Sequence, residues 1–244
     1  MTEETVEVVV EHLGLRLLDL RGVGLSSADA GLLARLVTGL QQVWMGYSPL
    51  ASSQAEAILE NVAAGSKLRK LAMCFTDLST VEPGLLARAV AGLEEVDLSS
   101  TQLTAQAVLS AAGSSSKLKK LDLAMNDSMP VVRPELLAAA VLNLEEFSIG
   151  HSAVSSQQIE AIFSAISGAT KLKVLKIGYN RIIEFPDDRV SQFRNVEGMI
   201  NLLELVPRLS FLFHVKMDLL RAAFYICCFK YSIDKDRYKI VRID

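Results

Sequence analysis

The sequence predicts an α/β solenoid, right-handed, with a parallel β-sheet along its concave side and α-helices along its convex side. Two observations carry that prediction. Leading leucines recur at Leu15, Leu40, Leu68, Leu93, Leu118, Leu144 and Leu172, at intervals of 25, 28, 25, 25, 26 and 28 residues. Each is followed three and five residues later by further apolar side chains: Leu18/Leu20, Val43/Met45, Leu71/Met73, Val96/Leu98, Leu121/Leu123, Phe147/Ile149 and Leu175/Ile177. A period of about 20–30 residues holding one strand and one helix describes units too small to bury a core alone, which must stack.

Taken in order, residues 1–14 (MTEETVEVVVEHLG) form an N-terminal segment that reads as the end of a helix or a partial repeat. It is acidic and lacks the basic start and long apolar stretch of a secretory signal. Residues 15–182 hold seven strand–helix repeats of two alternating types. Three helices end in LLARLVTG, LLARAVAG and LLAAAVLN, and the others read AILENVAAGSK, AVLSAAGSSSK and AIFSAISGATK. Ser52, Thr104 and Ser155 stand where an N-cap is expected, and Pro83 and Pro134 where a first helical turn needs no N–H. Gly39, Gly65, Gly92, Gly113 and Gly168 read as helix stops, with Lys67, Lys117 and Lys171 near the negative end of the helix dipole. The GSSSK stretch at Gly113 lacks phosphate-loop spacing and reads as another stop.

Residues 183–244 are expected to be an atypical C-terminal segment, holding a degenerate repeat and a cap. Of the 15 aromatic residues, 9 lie beyond Asn180, and residues 181–244 carry 11 basic against 9 acidic side chains. Residues 190–206 look helical, Leu209 and Leu212 match an eighth strand, and residues 219–229 would cover it. The apolar run at 202–231 is interrupted by Glu204, Arg208, His214, Lys216, Asp218 and Arg221, so a membrane-spanning helix is not expected.

A net charge of −3 supplies no basic field for nucleic acid. Three cysteines, Cys74, Cys227 and Cys228, do not make a disulfide framework. The expected location is cytoplasmic. His12, His151 and His214 lie far apart, and no G-x-S-x-G, H-E-x-x-H, P-loop or Rossmann fingerprint occurs. No catalytic, cofactor-binding or metal-binding residue is therefore assigned.

Candidate binding residues follow from strand alternation, which turns the leucines inward and their neighbours outward. One outward column reads Leu17, Gln42, Lys70, Glu95, Lys120, Glu146, Val174, with signs alternating over four members. A second reads Asp19, Trp44, Ala72, Asp97, Asp122, Ser148, Lys176, and a third, mostly small, reads Arg21, Gly46, Cys74, Ser99, Ala124, Gly150, Gly178. Trp44, Gln42, Lys70, Glu95, Asp97, Lys120, Asp122 and Glu146 are the expected partner-binding residues. Trp44 leads them because tryptophan is enriched among interface hot spots, and Tyr47 extends its patch. The charged column reads first as a ladder that satisfies itself and holds repeat register, and second as a recognition surface. Asp97 and Asp122, side by side, are expected to join that network through Lys70 and Lys120.

Strand, turn and full helix in two alternating types resemble the ribonuclease-inhibitor-like class of leucine-rich repeats. That class includes repeat regions of NOD-like receptors, Ran GTPase-activating protein and tropomodulins. Its asparagine after the strand is matched by Asn126 and Asn180, with Val23, Ser48, Thr76, Thr101 and Ser152 elsewhere. The resemblance implies a non-enzymatic scaffold that binds a protein partner on the concave sheet. It leaves two alternatives: a GTPase-activating regulator like the Ran-directed family, or a peripheral membrane protein using the C-terminal segment.

Overall fold

A computed structural model describes residues 15–166 and 168–177 and two strands further on, at 231–234 and 239–242. Seven three-residue strands run parallel in sequence order: β1 (Leu17–Asp19), β2 (Gln42–Trp44), β3 (Lys70–Ala72), β4 (Glu95–Asp97), β5 (Lys120–Asp122), β6 (Glu146–Ser148) and β7 (Val174–Lys176). Between them, among the described residues, lie α1 (Ala30–Thr38), α2 (Ser52–Ala63), α3 (Pro83–Gly92), α4 (Ala105–Ser114), α5 (Pro134–Asn143) and α6 (Ser156–Ile166). Each of the seven strands predicted for residues 15–182 is present, in the predicted register.

The register follows from the leucines. Leu18, Val43, Leu71, Val96, Leu121, Phe147 and Leu175 are Cα partners in unbroken succession. From the second repeat onward all three apolar positions of each run are buried, while Leu15, Leu18 and Leu20, in the first repeat, are only partly covered. The helices close the other side of that layer: Leu33, Leu36, Ile58, Leu86, Val108 and Leu137 are at most 1 % exposed. Because a one-residue slip would turn every leucine to the opposite face, burial itself holds the register.

Helix boundaries differ in detail from the sequence expectation. The prolines stand at the first helical position as predicted, and Ser155 caps α6 in a reciprocal pair. Its hydroxyl accepts from the Gln158 N–H at 3.3 Å, and the Gln158 amide oxygen accepts from the Ser155 N–H at 2.7 Å. At α2 the cap is Ala51, and Gln54 supplies the returning bond to the Ala51 N–H. Thr104 occupies the cap of α4 without a side-chain bond to the helix. Asp29 and Glu82, overlooked in the sequence, cap α1 and α3 through the backbone N–H groups of Leu32, Gly84 and Leu85.

The glycines also divide. Gly65 has φ +99°, the left-handed conformation of a helix stop. Gly113 lies inside α4, where a Cβ would come within 2.8 Å of the Ala139 Cβ on α5. It is there for close helix approach, which corrects its reading as a stop.

At the far edge the parallel pattern ends. β8 (Tyr231–Asp234) pairs antiparallel with β7, and β9 (Lys239–Arg242) pairs antiparallel with β8. An unpaired edge invites another chain, and an added hairpin occupies it. The sequence offers no turn signature that marks these strands. The proposed eighth strand at Leu209 and Leu212, and the helical segments at 190–206 and 219–229, lie outside the described residues, as do residues 1–14 and Asn180. No helix among the described residues is long and apolar enough to cross a membrane.

Candidate functional site

The sheet carries helices on one side only, so its other face presents three short columns of side chains. Each expected binding residue stands on that face, and each of Gln42, Trp44, Lys70, Glu95, Asp97, Lys120, Asp122 and Glu146 is half-buried. The charged column forms the ladder its signs suggest. Lys70 Nζ lies 3.0 Å from Glu95, and Lys120 Nζ lies 3.9 Å from Glu95 and 2.8 Å from Glu146.

A second ladder runs beside it, one residue earlier on each strand, and was not read from the sequence. Glu94 receives Arg69 at 3.4 Å and Lys119 at 2.8 Å, and Lys173 lies 3.2 Å from Glu145. The hydrogen bond from Lys119, joined by the charges of Lys119, Arg69 and Lys70, holds the Glu94 carboxyl below its ordinary range despite desolvation, which opposes it. The Glu146 carboxylate raises Lys120 in the same way, the hydrogen bond being the largest cause. Exposed pairs of this kind contribute little to stability, because water and salt screen them. Their effect on this face is to keep Lys70, Lys119, Lys120 and Lys173 engaged.

Asp97 and Asp122 are register partners, as expected. Their expected place in the ladder is corrected by the structure, because Lys70 and Lys120 point to glutamates. Among the described residues no cation lies within 4.0 Å of either aspartate, although every Glu of the two ladders is paired. Asp97 accepts from the backbone and hydroxyl of Ser99 at 3.0 and 2.7 Å, and Asp122 accepts from the Ala124 N–H at 2.9 Å. Burial pushes the Asp122 carboxyl above its ordinary range, the Asp97 charge adds to this, and hydrogen bonds from Ala124 and Ser148 oppose it. No group of three or more His, Cys, Asp or Glu that could hold a metal occurs among the described residues.

Trp44 is covered on one ring face by Arg21, whose guanidinium carbon sits 5.0 Å from the ring centroid. Arg21 is held there by Asp19, at 2.7 Å. The third column is the floor beside it: Gly46, Cys74, Ser99 and Gly150 are buried. A Cβ on Gly46 would collide with the Cys74 sulfur, so the floor is fitted and not merely small. Burial raises the Cys74 thiol, with Asp97 and Asp122 contributing.

The residue after each floor position was scarcely read from the sequence, and it decides the architecture of the rim. Gly22, Tyr47, Phe75, Ser100, Met125 and His151 all have φ between +55° and +71°. The first five send the backbone N–H to the next repeat's third-column carbonyl: Gly22 to Gly46, Tyr47 to Cys74, Phe75 to Ser99, Ser100 to Ala124, Met125 to Gly150, at 2.9–3.1 Å. The chain thus leaves the strand in a left-handed turn while its ladder continues. Just beyond, Ser48, Thr76, Thr101, Asn126 and Ser152 are buried. Asn126 donates to the Leu98 and Leu123 carbonyls at 2.9 and 3.0 Å and accepts from the Thr101 N–H at 3.1 Å. Strand, left-handed turn, buried polar ladder and helix recur in strict register. The fold is a leucine-rich repeat solenoid.

No protein-family model matches the sequence, and no curated protein does. Solved structures of similar leucine-rich repeat solenoids are known. An internalin from Listeria monocytogenes aligns over 64% of this chain and 46% of its own, at 15% identity and TM-score 0.42. The tropomodulin C-terminal domain of Caenorhabditis elegans aligns over 69% of this chain and 93% of its own, at 9% identity and TM-score 0.39. A leucine-rich repeat protein of Leptospira interrogans aligns over 76% and 59%, at 16% identity and TM-score 0.38. This chain therefore spans less than half the length of the internalin.

The leucine-rich repeat rim has one further property. Tyr47, Phe75 and Met125 are 63 %, 43 % and 44 % exposed. Tyr47 and Phe75 stack, with ring centroids 4.3 Å apart and planes inclined by 22°. The sequence signal for this row lies in its spacing, since each member is seven residues beyond the leading leucine of its repeat.

Proposed function

We propose that this leucine-rich repeat protein is a non-enzymatic scaffold that binds a protein partner on the helix-free face of its sheet. One observation carries the reading: the unbroken register from Leu17 to Lys176. It sets side chains of unrelated chemistry at a pitch of about 4.8 Å on a rigid support. Such a surface suits recognition of one macromolecule by several shallow contacts. Trp44, Gln42, Lys70, Glu95, Asp97, Lys120, Asp122 and Glu146 are its contact residues, with Trp44 and Arg21 as one anchor.

The reading is tested by affinity capture from native lysate with the intact protein and with Trp44→Ala/Lys70→Glu, after circular dichroism has shown equal folding. A partner captured by the parent and lost with the variant is the expected result. Partners that persist unchanged would move the binding surface to the helices or the C-terminal segment.

A further inference from the structure

The rim places large apolar side chains where the backbone disfavours them. A non-glycine residue in the left-handed region costs about 1–2 kcal/mol, and a turn with φ > 0 at its third residue ordinarily takes Gly or Asn. Gly22 meets that demand, whereas Tyr47, Phe75 and Met125 meet it with bulky side chains that stay 43–63 % exposed. None belongs to the buried core cluster, so the fold gains only part of what their apolar surface could supply.

Beside this row stand the two aspartates that the ladders bypass. The ladders cancel their own field, since Lys70, Lys119, Lys120 and Lys173 each face a glutamate. At the centre of the face the ladders leave over the charge of Asp97 and Asp122, which Lys176 further along the same column offsets only in part. Asp122 shares its repeat with Met125, and Asp97 lies on the strand next to that of Phe75. A cationic group placed there would find two carboxylates with no competing ion pair, and charge-assisted bonds to such groups are the strong ones. The row is one side chain wide and crosses the repeats from Tyr47 to Met125, with Ser100 standing between Phe75 and Met125, which fits a linear segment.

We propose that Tyr47, Phe75 and Met125, together with Asp97 and Asp122, dock an extended segment of a partner protein in which apolar side chains neighbour lysine or arginine. This rests on the reading of the helix-free face as a binding surface and names the chemistry that the face selects.

The test is selection from a library of random linear peptides displayed on phage, with the intact protein as bait. An enriched peptide is then synthesised and titrated by fluorescence anisotropy. Enriched sequences should carry lysine or arginine next to aromatic or aliphatic residues. Replacing the peptide's basic residues by Gln, or its apolar residues by Ser, should each weaken binding about tenfold or more. Asp97→Asn/Asp122→Asn and Phe75→Ser should do the same from the protein side, and Met125→Gly gives a second rim variant free of any effect on ring stacking.

Failure to enrich any peptide, enrichment without basic residues, or equal binding by all variants would overturn the proposal. So would a dimer seen by sedimentation that Phe75→Ser dissociates, because the rim would then be covered by a second copy. If capture succeeds through Trp44 and Lys70 while no peptide binds, this inference fails and the scaffold reading stands. If peptides bind the rim while captured partners ignore Trp44→Ala/Lys70→Glu, the rim survives and the wider face does not.

Discussion

Met125 shows how a single residue can be costly to the fold while serving the surface. Its φ is +57° and it is 44 % exposed, with no stacking partner of the kind that joins Tyr47 to Phe75. Met125→Gly should therefore raise stability by about 0.5–1 kcal/mol, as relief of the left-handed strain exceeds the added chain entropy of glycine. Urea denaturation measures this, and a loss of stability would mean that the side chain supports the rim. Asp122 offers a second case with a defined pH dependence. Its folded-state carboxyl is raised, so the charged form costs the native state at neutral pH, and that cost vanishes as pH falls through the raised value toward the ordinary Asp range. Asp122→Asn keeps an acceptor for the Ala124 N–H and removes the charge. Its urea midpoint should exceed the parent's at pH 7, with the gap closing on acidification; a gap that widens toward acid would contradict the burial argument.

At the scale of elements, α4 and α5 are held at a distance set by Gly113 and Ala139. Gly113→Leu would force a side chain into a space that does not accept even a methyl without movement. Overpacking of this kind costs about 1–3 kcal/mol, and the loss should appear as a lower denaturation midpoint with the sheet signal otherwise native. The strands were legible in the sequence because burial of Leu, Val, Met, Phe and Ile at the second and third apolar positions imposes a repeating pattern on the chain. The candidate site was legible only in part. Sign alternation at Lys70, Glu95, Lys120 and Glu146 announced one ladder, yet the same alternation at Arg69, Glu94, Lys119 and Glu145 went unread beside it. The rim was hidden for a different reason: Tyr, Phe, Met and His carry no left-handed signature, so nothing local distinguishes them from ordinary turn residues. Asp97 and Asp122 were placed correctly as neighbours, but which cation each carboxylate meets depends on side-chain direction, which spacing does not encode.

Across the molecule, each repeat bonds to its two neighbours, and stability accordingly varies with position. β1 has one strand partner among the described residues, and Leu15, Leu18 and Leu20 are only partly buried there. β3 to β5 lie between repeats whose apolar positions are closed to solvent. Amide hydrogen exchange should be slowest for Leu71, Val96 and Leu121 and faster toward Leu18, since local opening follows the number of packed neighbours. Uniform protection from β1 to β7 would mean that the first repeat is covered by chain outside the described residues.

The left-handed turn after β2 to β5 also separates two kinds of information. Its backbone N–H serves the neighbouring repeat, while its side chain at Tyr47, Phe75, Ser100 or Met125 contributes little to the hydrophobic core. Those positions can be rewritten without renegotiating the leucines beneath them. A lineage, or a designer, could thus change what the protein recognises by altering one row of letters and leave the folding instructions intact.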